Sequence, residues 1–300
     1  MKHSFKEWFA ATRYWSFPVS SMPVVVTFAF LLSKGMVPCG ARPVICFVLA
    51  LLGAIIIHSA GNLLSDYFDF KTGVDNADAF AVPNLVFKKF DPREYLIFSI
   101  ILFVIGCGIG LILTVMCGWK LLVIGVIGVL LTACYSFLKY NALGDLDIFV
   151  IFSILIMLGT SVAVTGDIVP DVLVLALPIG IITVAVLHAN NTLDIETDRK
   201  AGMKSFAMLL GGKTANCLYK VYMVVPFVAV ITAVACGWVT PWALLSLVAA
   251  IPAWQNIKAA SNFNEKGIQT MMGLDQAAAK LQLVFSGLLA LSLFIAAILQ

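Results

Sequence analysis

Two short segments of the chain combine side-chain amides and carboxylates at a spacing of about one helical turn. The first cluster is Asn62, Asp66 and Asp69, and the second cluster is Asn190, Asp194 and Asp198. Successive residues of a helix turn by about 100°, so the three side chains of each cluster share one helix face. Carboxylate and amide oxygens suit Mg²⁺, which completes its coordination with water and phosphate oxygens. The spacing predicts two magnesium-binding half-sites for a polyanionic ligand.

Positively charged groups are needed beside these acids, because carboxylates alone repel an anion. Lys139 follows Tyr135 by four residues, so the ammonium and hydroxyl groups lie on one helix face and can contact one phosphate. Lys204 follows the second cluster and is another candidate for binding phosphate. The alternative for Lys139 is a topological charge whose side chain extends to the membrane surface.

Other polar residues near the clusters allow more than one interpretation. An acid at a helix end is often a cap or a solvated residue, and this alternative stays open for several single acids. These acids are Asp75, Asp78, Asp145, Asp147 and Glu196. If its helix continues, Glu196 points away from the second cluster. His58 and His188 each lie close to a cluster, and we interpret both as polar residues that pack helices together.

The elements that position the clusters are membrane helices. Hydrophobic residues make up 61% of the 300 residues and charged residues only 12%, whereas soluble proteins are about 45–50% apolar. Nine runs come close to the roughly 20 apolar residues that span a bilayer. They are residues 17–32, 44–64, 95–117, 121–138, 148–165, 172–188, 221–238, 242–257 and 281–299. We expect an all-α polytopic membrane protein with nine transmembrane helices that contacts membrane lipid and no nucleic acid.

The distribution of Lys and Arg predicts the orientation of the chain. With nine spans and a cytoplasmic N-terminus, all but three of the 19 Lys and Arg residues fall on the cytoplasmic side. The three exceptions are Lys34, Arg42 and Lys120. Cytoplasmic loops are enriched in these residues. We therefore expect a protein of a bacterial-type inner membrane whose N-terminus and active site are cytoplasmic and whose C-terminus is on the opposite side.

The two clusters lie at equivalent positions of an internal repeat. Both end a predicted span, and four helices separate them, so both reach the same side of the membrane. An even number of helices between equivalent positions gives a parallel repeat, one of the ways in which membrane proteins build a binding site. We expect one domain over residues 1–300, with a first half at about 14–140 and a second half at about 141–300. Two four-helix repeats and a ninth helix would surround a central cavity.

Four segments of the chain resemble the UbiA superfamily of intramembrane prenyltransferases. The most specific segment covers residues 194–211 and begins Asp194-Ile-Glu-Thr-Asp198. The others are Asn62 with Asp66-Tyr-Phe-Asp69 and Lys71-x-Gly73-x-Asp75, then Tyr135-x-x-x-Lys139, and Arg13 ahead of Trp15-Ser-Phe-Pro18. With the nine spans, the resemblance covers essentially the whole chain, and the second cluster is most similar to the menaquinone branch, 1,4-dihydroxy-2-naphthoate polyprenyltransferase.

The resemblance implies a Mg²⁺-dependent enzyme that transfers a polyprenyl group from an isoprenyl diphosphate to an aromatic acceptor. Both clusters would bind two Mg²⁺ ions and form the catalytic centre through Asp66, Asp69, Asp194 and Asp198. The diphosphate would contact Asn62, Asn190, Tyr135, Lys139, Lys204 and Arg13. The preferred acceptor is 1,4-dihydroxy-2-naphthoate, in menaquinone biosynthesis. The alternatives are 4-hydroxybenzoate, homogentisate, a porphyrin or glycerol phosphate.

The chain departs from the branch pattern at three places beside the predicted metal ligands. The ligands themselves are retained, so the departures concern the choice of acceptor. Ser65 stands where the branch usually has Asn, Leu193 stands where it has Arg, and residues 77–84 contain no Arg. A non-catalytic paralogue that binds lipid diphosphates is therefore an alternative. An ion-coupled transporter is another, although transporters place essential acids near the membrane midplane in broken helices, and these acids lie at helix ends.

Overall fold

The computed structural model describes residues 3–74, 85–87 and 89–299. Asp75, Asp78 and the arginine-free stretch 77–84 lie outside the described residues. The described part of the chain is built from helices and contains no β-strand, although one isolated bridge pairs Asn141 with Lys204. The all-α prediction is therefore confirmed.

Helices α1 to α15 follow one another along the chain. In order they are Phe5–Ala11, Pro18–Ser33, Ala41–Thr72, Pro92–Cys117, Trp119–Tyr140, Gly144–Phe149, Ile156–Thr165, Ala176–Leu193, Ile195–Lys200, Phe206–Leu210, Gly212–Tyr222, Val225–Ala235, Ala250–Ala260, Phe263–Lys266 and Leu274–Ile298. Short 3₁₀ segments are Tyr14–Ser16, Pro170–Leu175, Pro241–Ala249 and Gly267–Met271, and Val150–Leu155 is a π-helical segment between α6 and α7.

Eight helical stretches in the described part of the chain are long and apolar enough to cross a membrane. The predicted count of nine is not confirmed. The remaining predicted span, residues 242–257, is divided between the 3₁₀ segment Pro241–Ala249 and α13. Pro252 lies in the first turn of α13, where its missing N–H costs no helical hydrogen bond. A new helix therefore begins near this proline, and no single α-helix runs through it.

Helix α3 carries the first cluster beyond the apolar part of its own span. It has 32 residues, which corresponds to about 48 Å at 1.5 Å per residue, whereas a hydrocarbon core is about 30 Å thick. The helix ends at Gly73, whose φ of 78° is left-handed and therefore favours glycine. The excess length places the cluster at the end of the helix, outside its most apolar portion.

The helices pack around one large hydrophobic core. The first and last spans, α2 and α15, both contribute side chains to it. Helix α15 packs on α2 and α8, and α3 packs on α4. The core includes Phe30 of α2, Ile179 of α8 and Phe285 of α15. On the outside, α4 and α5 expose apolar side chains such as Val104 and Leu130. These exposed faces are the surfaces that lipid would cover, while the interior of the helix ring contains the cavity described below.

Candidate active site

Both clusters line one cavity of about 540 Å³. All six cluster residues belong to its wall, and so do the predicted diphosphate-binding residues Arg13, Tyr135 and Lys139. Helix α3 brings the first cluster, α8 and the turn after it bring the second, and α5 brings Tyr135 and Lys139. The structure thus gives the clusters one shared side of the molecule, as the parity of the intervening helices predicts.

The acids of the first cluster are paired with cations from other elements. The Arg13 guanidinium donates a hydrogen bond to Asp66 Oδ1 at 2.5 Å. The Lys139 ammonium donates to Asp69 Oδ2 at 3.2 Å, and the Tyr140 hydroxyl donates to Asp69 Oδ1 at 2.6 Å. Charge-assisted hydrogen bonds are stronger than neutral ones. Arg13 and Lys139 therefore fix the acids and supply positive charge at the same place.

Arg13 reaches the cavity from a strained turn between α1 and the first 3₁₀ segment. Its φ of 57° and ψ of 50° are left-handed, which is costly for a residue with a side chain. The Ser16 hydroxyl donates to the Arg13 carbonyl at 2.8 Å and holds this turn. The Asn62 amide donates to the Thr12 carbonyl at 3.0 Å and joins the turn to α3. The strain is offset by contacts that aim Arg13 at the first cluster.

Lys139 and Asp69 form a buried ion pair. Their residues are only 8% and 4% exposed, and a charge buried without its partner is strongly unfavourable. The Ser65 hydroxyl makes a longer contact of 3.4 Å with Asp69 Oδ2. Lys139 therefore does more than mark the membrane side, because its ammonium lies inside the molecule against a predicted metal ligand.

The second cluster lies where one helix ends and the next begins. Helix α8 ends at Leu193, and Asp194 has φ −91° and ψ 10° between α8 and α9. The Asp198 amide still donates to the Asp194 carbonyl at 2.8 Å, so a helical turn continues across the junction. Both acids consequently face the cavity, and Glu196 is exposed, as its helical position predicts.

A buried polar network stands behind the second cluster. The ring nitrogens of His188 lie 2.9 Å from Asp145 Oδ2 and 3.0 Å from the Ala215 carbonyl oxygen. The Asn191 amide contacts Asp145 Oδ1 at 3.4 Å. The carbonyl can only accept a hydrogen bond, so one ring N–H is used there, and the carboxylate pairs with the other nitrogen. His188 is a packing residue, as predicted, that joins α6, α8 and α11.

The structure does not bring the Lys204 side chain into the cavity. Lys204 is exposed, and its backbone N–H donates to the Tyr140 carbonyl at 3.2 Å. This backbone pairing holds the chain after α9 beside the end of α5, and Lys204 is not among the residues that line the cavity. Lys204 is therefore close to Asp198 in sequence, but its ammonium is not part of the site.

Several residues at or beside the site were not predicted from the sequence. Asp275 and Gln276 of α15 line the cavity, and nothing in their local sequence indicates this, because only the packing of α15 brings them there. Tyr140 adjoins Lys139 and could have been suspected from that position. His58 joins α3 to α2 through Ser20, as expected of a packing residue, and it also lines the cavity, which was not predicted. The helical face shared by His58 and Asn62 was the available signal.

The donor set of the cavity fits Mg²⁺ bound together with a phosphate ligand. Within residues 3–74, 85–87 and 89–299, no group of three or more His, Cys, Asp or Glu side chains is close enough to form a ready-made metal site. Mg²⁺ commonly binds only one or two carboxylates and takes its other ligands from water and phosphates. Each cluster offers two carboxylates and one amide, which satisfies that requirement.

A second cavity lies on the outer surface, away from both clusters. It has a volume of about 740 Å³ and is lined mainly by apolar side chains of α11 and α12, with Trp238 and Trp254. It contains none of the cluster residues, so its size alone does not make it a reaction site. The chemistry of the chain is concentrated in the smaller cavity.

Comparison with known protein families gives one match over most of the chain. The model of the UbiA prenyltransferase family matches residues 20–284. The matched range contains both clusters, Tyr135, Lys139 and α8, and it extends into α15.

Curated relatives carry the name UbiA prenyltransferase domain-containing protein 1. The chain is 31% identical to the Xenopus tropicalis protein over 224 residues, which is 72% of this chain and 63% of that protein. It is 32% identical to the Homo sapiens protein over 224 residues, which is 72% of this chain and 64% of that protein. The chain thus matches somewhat less than two thirds of the length of these relatives.

Solved structures of UbiA homologues have the same fold. An apo UbiA homologue from Aeropyrum pernix K1 has a TM-score of 0.70 at 16% identity, covering 91% of this chain and 97% of that one. A UbiA homologue from Archaeoglobus fulgidus, bound to GPP and Mg²⁺, has a TM-score of 0.68 at 14% identity, covering 97% and 99%. The helical fold is therefore shared despite low sequence identity.

Proposed function

Because the chain belongs to the UbiA prenyltransferase family, we propose that it transfers a polyprenyl group from an isoprenyl diphosphate to an aromatic acceptor with Mg²⁺ as cofactor. The observation that carries this proposal is the single cavity that contains both Asn/Asp clusters with Arg13 and Lys139. Prenyl diphosphate and Mg²⁺ are bound by the Archaeoglobus fulgidus homologue, and the donor set here suits the same combination.

The two clusters are the proposed metal ligands. They contribute Asn62, Asp66, Asp69, Asn190, Asp194 and Asp198, enough for two ions. When bound, Mg²⁺ stabilises the negative charge that develops on the leaving diphosphate. Placing the ligands on two separate helices allows the diphosphate to be held between them.

Arg13, Tyr135 and Lys139 are the proposed diphosphate-binding side chains of this cavity. Arg13 and Lys139 already lie against Asp66 and Asp69. Their positive charge therefore lies where the diphosphate must bind, and donors fixed before the reaction stabilise developing charge without further reorganisation. Lys204 would reach the diphosphate only through a change in its exposed side chain, so its role stays a prediction.

The apolar wall of the cavity suits the reactive intermediate. Cleavage of the bond between the allylic carbon and the diphosphate oxygen leaves free diphosphate and an allylic carbocation. An aromatic ring carbon then forms the new carbon–carbon bond and loses the group that it carried, which is a proton or, from a carboxylated carbon, CO₂. Ile148, Ile151 and Phe152 line the cavity together with Val186 and Leu187. Exclusion of water by such side chains protects a carbocation from hydrolysis.

For the acceptor we propose 1,4-dihydroxy-2-naphthoate, which would place the reaction in menaquinone biosynthesis. The motif Asp194-Ile-Glu-Thr-Asp198 and the residues that follow it support this choice. Acceptors such as 4-hydroxybenzoate or homogentisate remain outcomes of the experiment below, because the segment 77–84 near the first cluster departs from the branch pattern.

The chain is an integral membrane protein in this proposal, with its N-terminus and active site in the cytoplasm of a bacterial-type inner membrane. The Lys and Arg distribution supports that orientation. A C-terminus on the opposite side requires that residues 241–260 also cross the membrane, although they consist of two helical segments.

The test is a reaction with purified protein in lipid nanodiscs. Labelled polyprenyl diphosphate and Mg²⁺ are supplied with a panel of hydroxylated aromatic acids, and the lipid products are separated. We expect prenylated 1,4-dihydroxy-2-naphthoate, and we expect its formation to stop in EDTA and in Asp66→Asn. Glu196→Gln is the matched control, because Glu196 belongs to the same motif but is exposed. Mg²⁺-dependent diphosphate binding without product from any acceptor would instead indicate a non-catalytic paralogue.

A further inference from the structure

One polar group lies deep in the cavity wall, away from the acids. His58 is on α3 one turn before Asn62, which corresponds to about 6 Å along the helix axis. It is only 8% exposed and lines the cavity. Its imidazole lies between two hydroxyls, with Nδ1 at 3.0 Å from Ser20 Oγ and Nε2 at 3.5 Å from Ser16 Oγ.

The hydrogen-bond donors around His58 are already committed. The Ser16 hydroxyl donates to the Arg13 carbonyl at 2.8 Å, so its oxygen has no proton left for the imidazole. The Ser20 hydroxyl donates to the Phe17 carbonyl at 3.3 Å and can accept from His58 Nδ1–H. A neutral imidazole carries one N–H and one lone pair. With the proton on Nδ1, the lone pair of Nε2 has only the long Ser16 contact and is left for a ligand in the cavity that His58 lines.

The opposite tautomer is less favourable. It would place the proton on Nε2, whose contact with Ser16 Oγ is 3.5 Å, longer than the usual hydrogen bond of 2.7–3.2 Å. The long contact at Nε2 therefore favours a proton on Nδ1, which the Ser20 oxygen can accept at 3.0 Å. His58 presents a hydrogen-bond acceptor to whatever occupies the cavity beside it.

The neighbours of this acceptor suit a flat ring. Phe152 meets the His58 imidazole edge to face, with ring centroids 4.9 Å apart. Phe152 and Ile151 belong to the π-helical segment Val150–Leu155, and both line the cavity. Adjacent residues of a regular helix point about 100° apart, and π-bulges are frequent at functional sites. A prenyl chain has no hydrogen to donate, whereas a hydroxylated aromatic ring has one.

We propose that His58 Nε2 accepts a hydrogen bond from a ring hydroxyl of the aromatic acceptor and so orients the ring in the cavity. This inference rests on the proposed function and deepens it, because it restricts the acceptor to aromatic compounds with a free hydroxyl. His58 is then an acceptor-binding residue, distinct in position from the clusters that bind the diphosphate.

The kinetic test compares His58→Phe with His58→Gln. Phe keeps a ring but accepts no hydrogen bond, whereas the Gln side-chain oxygen can accept one. We expect His58→Phe to raise KM for 1,4-dihydroxy-2-naphthoate about tenfold, to leave KM for the prenyl diphosphate within about twofold, and to be partly rescued by Gln. Ser59→Ala is the matched control on α3, because the Ser59 hydroxyl donates to its own helix at Ile55. An unchanged acceptor KM in His58→Phe overturns the inference.

A binding test does not depend on turnover. Protein in nanodiscs with Mg²⁺ and a non-hydrolysable prenyl diphosphate analogue is titrated with 1-naphthol and with 1-methoxynaphthalene, which lacks the hydroxyl hydrogen. We expect the wild type to prefer the naphthol about tenfold and His58→Phe to lose that preference. Equal binding of the two probes by the wild type overturns the inference even if His58→Phe does not fold. If the wild type did not bind the prenyl diphosphate analogue, the result would count against the proposed function and not against the role of His58.

Discussion

The two clusters have the same composition but are held in different ways. The first lies on the uninterrupted helix α3, and its acids are fixed by cations, with Arg13 on Asp66 and Lys139 on Asp69. The second lies where α8 ends and α9 begins. Behind it, His188 is fixed by Asp145 and by the Ala215 carbonyl.

This difference shows that one motif can be positioned by two kinds of interaction. In the first cluster the carboxylate oxygens proposed to bind metal also accept the hydrogen bonds from Arg13 and Lys139. A substitution there changes the charge and the position of the acid together. In the second cluster the described network contacts the supporting helix. The two clusters should therefore share one role and differ in what disturbs them, and five substitutions test that distinction.

The largest effect should be equal in both clusters. We expect Asp66→Asn and Asp194→Asn each to lower kcat/KM about 1,000-fold, since loss of a carboxylate proposed to bind metal would remove several kcal/mol of charge stabilisation in the transition state. Steady-state kinetics at saturating Mg²⁺ measures it. If one variant retained more than a tenth of wild-type activity, the clusters would not be equivalent half-sites.

A large loss of stability is expected when the buried ion pair of the first cluster is broken. Lys139→Met leaves the buried carboxylate of Asp69 without its cation, and we expect the free energy of unfolding to fall by about 3 kcal/mol. Thermal unfolding in detergent measures this, with the exposed Lys204→Met as the matched control. The double variant with Asp69→Asn should regain part of the loss. Equal melting temperatures for the two Lys variants would contradict the buried ion pair.

Disturbing the network behind the second cluster should have a smaller effect. His188→Leu leaves the buried Asp145 without its imidazole partner, which costs about 2 kcal/mol for an unsatisfied polar group. We expect lower stability and weaker Mg²⁺-dependent diphosphate binding, because α8 carries Asn190 and the turn at Asp194. A double-mutant cycle with Asp145→Asn checks the pairing, and strictly additive effects would show that the two side chains act independently.

The smallest effect should come from the neutral donor of the first cluster. Tyr140→Phe removes one hydrogen bond to Asp69 and leaves Lys139 in place. We expect a loss of about 1 kcal/mol, seen as a several-fold rise in KM for the prenyl diphosphate. An effect as large as that of Lys139→Met would mean that the hydroxyl, and not the ammonium, holds Asp69.

What the sequence predicted here is mostly what local spacing determines. The faces of α3 and α8, the outward direction of Glu196 and the common side of the clusters follow from helical geometry and from counting spans. The partners of the acids do not, because Arg13 meets Asp66 and Tyr140 meets Asp69 through contacts between elements distant in sequence.

Two differences from the predictions have local physical causes. Lys204 follows the second cluster closely, but its backbone pairs with Tyr140 and its exposed side chain is not part of the cavity wall. The span predicted at residues 242–257 is apolar enough, but Pro252 lies where one helical segment gives way to another. Hydropathy describes how much of a segment is apolar and says little about its backbone hydrogen bonds.

The packing of α15 on α2 has a consequence for biosynthesis. The ribosome makes α2 early and α15 late, so the face of α2 that α15 covers stays in lipid while the intervening spans are inserted. The cavity wall also lacks Asp275 and Gln276 until then. Contacts between distant parts of a chain form late for this reason. A nascent chain that stops before residue 274 would contain both clusters and still have no enclosed reaction chamber.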